Sequence, residues 1–201
     1  MYSSVAHTLL DIDAVKLSPS EPFTWASGIK SPIYCDNRQI LGDVEAHRKV
    51  IQLLIEELGK FGETDIITGT ATAGIPHATL IADRLGKPSA YVRGSKKAHG
   101  TARQIEGAAV AGKRVIVIED LISTGGSSLN AVEVLRADGA EVLGVAAIFS
   151  YGIEGASQKF AEAGCACTVL CDLDTLLGVA EERGVLDTAG SADVRTFRDG
   201  L

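Results

Sequence analysis

From about residue 43 onward, short runs of aliphatic and β-branched residues alternate with stretches in which apolar positions recur every three or four residues. Alternation of that kind predicts βαβ units, hence an α/β fold with a central, mostly parallel sheet flanked by helices. The helix predicted over residues 43–61 opens on an aspartate suited to N-capping and sets Ile51, Leu54, Ile55 and Leu58 at i, i+3, i+4 and i+7. Val44 and His47 extend that stripe, which makes His47 a half-buried packing residue rather than a ligand. Strands are predicted over residues 65–68, 89–92, 114–118, 142–149 and 166–170, and helices over 75–85, about 126–137, 154–163 and from 172 onward. Gly59, Gly86, Gly139 and Gly164 fall near the helix ends, where left-handed backbone is commonly needed.

Two stretches break the alternation. Residues 18–38 carry Pro19, Pro22 and Pro32 with no steady period, and predict a small N-terminal hood of short or irregular strands over the main sheet. Residues 94–106 (GSKKAHGTARQIE) are polar and basic, and a loop of that length inside a compact domain is usually functional or disordered. The length and the 46% hydrophobic content fit one domain over residues 1–201, with 18–40 contributing to the hood.

A formal charge of −7 argues against nucleic acid as a partner, because such proteins concentrate basic residues on one face; an anionic ligand must be held by local groups. No apolar run reaches the roughly 20 residues needed to cross a bilayer, and the N-terminus lacks the charged and apolar regions of a secretory signal. The expectation is a cytoplasmic protein with no membrane partner. Cys165, Cys167 and Cys171 lie close together, but not as the two separated pairs of a zinc site; with Cys35 they are expected to be buried reduced thiols.

The stretch Arg114-Val-Ile-Val-Ile-Glu-Asp-Leu-Ile-Ser-Thr-Gly-Gly-Ser-Ser128 delivers two adjacent carboxylates, Glu119 and Asp120, at the end of an apolar strand and passes through a small-residue turn into a helix. Backbone amides and hydroxyls of Ser123, Thr124, Gly125, Gly126 and Ser127 can converge on a phosphate at the positive end of that helix. The carboxylates beside them suit ribose hydroxyls or a hydrated magnesium ion. Gly69-Thr-Ala-Thr-Ala-Gly-Ile-Pro76 repeats the logic of a small-residue turn between a strand and a helix. Judged alone, it is also compatible with an ordinary βα turn.

The first of these stretches resembles the phosphoribosyl pyrophosphate motif of the type I phosphoribosyltransferases, with Glu119 where an aspartate is usual. The resemblance implies that family's fold and a donor site made of Glu119, Asp120, Leu121, Ile122, Ser123, Thr124, Gly125, Gly126 and Ser127. Thr70, Ala71, Thr72 and Ala73 then correspond to the pyrophosphate loop. Residues 23–38, Phe-Thr-Trp-Ala-Ser-Gly-Ile-Lys-Ser-Pro-Ile-Tyr-Cys-Asp-Asn-Arg, resemble the N-terminal signature of the orotate phosphoribosyltransferase branch. By that resemblance they roof the orotate ring, with Tyr34 and Cys35 at the base and Thr124 touching it as well. Arg93, Lys97 and His99 align with the basic residues of the family's catalytic loop, which reaches into a neighbouring subunit and covers the pyrophosphate.

The branch implies transfer of ribose 5-phosphate from phosphoribosyl pyrophosphate to orotate in pyrimidine synthesis. Lys97, His99, Arg93 and Asp120 would be its catalytic residues, Mg2+ its cofactor near Glu119 and Asp120, and a homodimer with shared active sites its assembly. Ala26 and Gly94 stand where some members have lysine, leaving Lys30 or Lys96 as substitutes; the role of Arg103 stays open. Residues 150–156 offer no arginine for the orotate carboxylate, and Arg38 is the candidate in its place. The competing readings are a nucleotide-sensing regulator on the same fold, which the acidic balance disfavours, and a purine phosphoribosyltransferase.

Overall fold

The computed structural model describes residues 2–24, 28–94 and 104–201. The chain begins with α1 (Tyr2–Asp11), β1 (Val15–Leu17), β2 (Phe23–Thr24), β3 (Lys30–Ser31), β4 (Ile33–Cys35) and a 3-10 turn (Asn37–Gly42). It continues through α2 (Val44–Leu58), β5 (Ile66–Thr70), α3 (Gly74–Leu85), β6 (Ser89–Val92) and β7 (Ile105–Gly107). The last third runs β8 (Arg114–Ile122), α4 (Gly126–Ala137), β9 (Glu141–Ser150), α5 (Glu154–Glu162), β10 (Cys167–Asp172), α6 (Leu173–Glu182) and α7 (Thr188–Asp199).

Six strands form one sheet in the order β10-β9-β8-β5-β6-β7, parallel except for the edge strand β7. Alternate residues of each strand feed two cores. Ile116 and Ile118 of β8 belong to the core shared with α1, α2, α3 and α6, whereas Val115 and Val117 belong to the one under α4 and α5. The predicted α/β sandwich is thus the observed architecture. β5 and β8 are direct neighbours, from Ile66 opposite Val115 to Gly69 opposite Ile118, so the turns that leave them sit side by side at the C-terminal edge of the sheet.

The N-terminal segment forms two small sheets outside the main one: β1 with β4 and β2 with β3, both antiparallel. Val15, Ile33 and Ile40 anchor this layer in the first core. Strands of two or three residues carry no readable period, which is why the sequence predicts only an irregular hood there. β8 runs four residues past its predicted end, because β9 accompanies it to Ile122 opposite Ser150.

His47 packs edge-on against His77, Nε2 to Nδ1 at 3.1 Å, in keeping with a packing role. Val44, placed on the buried stripe by the sequence, is 63% exposed in the first turn of α2, before the stripe reaches the core at Val50. Cys165 and Cys171 are buried free thiols, but Cys35 is half-buried and Cys167 exposed at the start of the edge strand β10. No helix among the described residues is long and apolar enough to cross a membrane.

Candidate active site

Alternation along β8 gives its two acids opposite surroundings. Glu119 shares parity with Val117 and turns toward α4, where it is 4% exposed. Its Oε1 accepts hydrogen bonds from the Thr70 hydroxyl at 2.5 Å and the Asp120 amide at 3.1 Å, and its Oε2 accepts one from the Ser128 hydroxyl at 3.0 Å. Asp120 turns to the other face, toward the hood. Burial first, and then the charge of Glu119, push its carboxyl up to about 7. The sequence points both acids at sugar and metal. The structure separates them: Glu119 ties the turn after β5 to the first turn of α4, and Asp120 is the acid on the hood side.

The turn after β5 is packed as tightly as backbone allows. A Cβ on Gly69 would lie 2.8 Å from the Gly74 carbonyl oxygen, and one on Gly74 would strike the Ile118 carbonyl oxygen and the Thr70 hydroxyl. Glycine at both positions lets the turn lie against β8. Thr70 is buried, Ala71 and Ala73 are half-buried, Thr72 is exposed, and the Ala71–Thr72 peptide is cis. Thr70, Ala71, Arg93, Gly94 and Ser127 line one small cleft, so this turn, the end of β6 and the start of α4 converge. The Arg93 guanidinium reaches Glu106 on the neighbouring strand at 3.6 Å.

The turn after β8 meets α4 at Gly125, which has φ of 79° and brings no side-chain cap to the helix. Thr124, Gly126 and Ser127 are exposed and Ser123 is half-buried, which leaves the positive end of α4 facing outward. Leu121 and Ile122 put their side chains into the cores, so only their backbone is left to face a ligand. α3 likewise starts, at Ala73, without a side-chain cap.

The hood stands on the Asp120 side. Tyr34, 39% exposed, packs against Phe23 with ring centroids 5.8 Å apart. Burial, then the charge of Asp120, drive the Cys35 thiol upward, which keeps it protonated beside the acid. Tyr151, at the end of β9, is buried next to Cys35 and Tyr34, and its hydroxyl is likewise pushed up by burial. Arg38 is gripped bidentately by Asp36, Nε to Oδ1 at 2.6 Å and NH2 to Oδ2 at 3.0 Å, with its outer face open to solvent. Lys97 and His99, with Lys96, Arg103 and Ala26, lie outside the described residues.

Ser128, Tyr151 and Asn37 also stand at the site, with little in the sequence to single them out. Ser128 closes the motif stretch, and a hydroxyl two residues into the helix that follows the turn is its only signal. Tyr151 follows a predicted strand end. Asn37 lies inside the hood signature, but its partner is Asp120, 83 residues away. Among the described residues, no group of three or more His, Cys, Asp or Glu is placed to hold a metal alone. Glu119 has both oxygens engaged by Thr70, Ser128 and the Asp120 amide, so Asp120 is the carboxylate left for a cation, and a single one fits Mg2+, which commonly takes one or two protein carboxylates and draws its other oxygens from substrate and water.

A family model of the phosphoribosyl transferase domain matches residues 38–175. An orotate phosphoribosyltransferase of Staphylococcus saprophyticus is 48% identical over 202 aligned residues that cover 100% of both chains. The solved orotate phosphoribosyltransferase of Aeropyrum pernix superposes with a TM-score of 0.78 at 34% identity, over 90% of this chain and 99% of that one. The UMP synthase of Leishmania donovani gives 0.82 at 28% identity over 99% of this chain, which spans 42% of that longer protein. Matched along its whole length, with the acids and both turns of the motif gathered at one sheet edge, the chain belongs to the orotate phosphoribosyltransferases of the phosphoribosyltransferase family.

Proposed function

We propose that the chain transfers ribose 5-phosphate from phosphoribosyl pyrophosphate to orotate, giving orotidine 5'-phosphate and pyrophosphate, as a Mg2+-dependent homodimer of single-domain subunits in the cytoplasm. The observation that carries the reading is the pairing of β5 with β8. It sets two uncapped helix starts side by side, with Asp120 next to them and the hood beyond.

In this reading residues 123–127 and the first turn of α4 hold the 5-phosphate, and residues 70–73 with Arg93, Lys97 and His99 hold the pyrophosphate. Asp120 takes the ribose hydroxyls and, with Glu119 behind it, is the protein's contribution to holding Mg2+ near the donor. Bound there, the ion would neutralise charge growing on the leaving group. Glu119 acts through Thr70 and Ser128, whose positions its hydrogen bonds fix. Tyr34, Cys35 and Thr124 form the orotate pocket, and Arg38 offers its free guanidinium edge to the carboxylate.

The reaction is a displacement at the anomeric carbon by the ring nitrogen of orotate, so the protein supplies no nucleophile. Holding two reactants in line is worth up to roughly 7–11 kcal/mol of barrier in favourable cases, and excluding water strengthens each cation at the departing pyrophosphate. Incubation with orotate, phosphoribosyl pyrophosphate and Mg2+ should give a steady loss of orotate absorbance, abolished by a chelator and unaffected by adenine or xanthine. Consumption of a purine base in place of orotate would overturn the assignment.

A further inference from the structure

Asn37 is 1% exposed and opens the 3-10 turn that follows β4. Its Nδ2 donates to the Asp120 carbonyl oxygen at 2.6 Å, and its Oδ1 accepts from the Cys35 thiol at 3.5 Å. The first bond answers a need of the sheet. β5 pairs with β8 only as far as Gly69 opposite Ile118 and then turns away, which leaves the β5-facing edge of β8 open. The Ile118 carbonyl lies on that edge, 3.3 Å from the Thr70 hydroxyl, whose proton goes to Glu119. Asp120 has the same parity, so its carbonyl faces the same gap, and Asn37 supplies the donor that a strand would have supplied. The hood sheets are separate from the main sheet, so this bond joins the strand carrying the donor-side acid to the segment carrying Tyr34 and Cys35.

We infer that Asn37 is a positioning residue that sets the distance between the acceptor base under the hood and the donor sugar at Asp120. The inference rests on the proposed reading of the site and adds to it a residue that touches neither substrate. A buried amide with both ends engaged has little freedom, so the two half-sites keep one spacing. A misplacement of about 1 Å between reacting atoms can lower a rate by about 100-fold. The donor's 5-phosphate, held by residues 123–127 on the far side of Asp120, does not depend on the link.

Two substitutions test this. Asn37→Ala removes the bond, and Asn37→Asp keeps the shape but replaces the donating amide with an acceptor facing the Asp120 carbonyl. Both should lower kcat by about 30- to 100-fold and raise the KM for orotate, while the calorimetric Kd for phosphoribosyl pyrophosphate with Mg2+ stays within about twofold of wild type. That split is the signature of lost alignment. Unchanged kcat and orotate KM in a variant that binds the donor would overturn the inference. So would a parallel loss of donor binding, or an Asn37→Asp chain that no longer melts cooperatively, since each points to a purely structural role. Wild-type protein that binds no donor would instead defeat the reading of the site itself.

Discussion

Helices α2, α6 and α7 begin alike: Asp43, Asp172 and Asp187 each accept a backbone amide of the first turn, at 2.8, 2.8 and 2.7 Å. Helices α3 and α4 begin on Ala73 and Gly125 with no side-chain cap, and α5, on Ile153, joins them. The difference follows position. An aspartate satisfies amides that would otherwise go unpaired, and its charge suits the positive helix end. In the proposed reading a phosphate sits at each of the two helices that follow β5 and β8, where that same charge would repel it.

An acid placed on the uncapped side should have the largest effect. Gly126 has open space for a side chain, since a Cβ there would find its nearest neighbour, the Thr124 hydroxyl, 3.9 Å away. Gly126→Asp should weaken binding of phosphoribosyl pyrophosphate by roughly 100-fold or more, because like charges near 4 Å cost about 4 kcal/mol at an effective dielectric of 20. Melting should be unchanged or slightly higher; titration calorimetry and thermal denaturation together check this.

Asp120→Asn is the next largest effect, and it runs in opposite directions for activity and stability. The folded carboxyl titrates at about 7 against an ordinary 3.8, so between those values the folded chain binds more protons than the unfolded one and loses stability as pH rises. Removing the charge should stabilise the ligand-free protein by about 2 kcal/mol near pH 8, after allowance for its coupling to Glu119, and by almost nothing near pH 4. Turnover should fall at the same time. Equal melting shifts at both pH values would contradict the burial argument. Smallest is the control on the capped side: Asp43→Ala should cost about 1 kcal/mol in denaturant unfolding and leave kcat and both KM values unaltered.

Much of the main sheet was legible because its helices and strands keep their periods long enough to read. Residues 89–92 and 126–137 come out with the predicted bounds. β7 and the hood strands escaped because two or three residues show no period, and α1 because Val5, Ala6 and Leu9 bury a face too short to stand out. Within the site, residue type pointed to the acids and the turns, since phosphate and sugar chemistry restricts the choice. Orientation was harder. That Glu119 serves the scaffold follows only from the parity it shares with Val115 and Val117, once β8 is known to extend past the acids to Ile122. The Asn37 link depends on contacts between distant segments, which no local pattern encodes.

The alternation of β8 also makes the chain sensitive to length in a way that its composition hides. Neighbouring residues of a strand look to opposite sides, so deleting one residue between Val115 and Glu119 would exchange the stations of the two acids while leaving every letter from Glu119 to Ser128 in place. A carboxylate with one more methylene would then meet the sugar, and a shorter one would be asked to span Thr70 and Ser128. A chain altered in this way would keep its recognisable signature and lose its wiring.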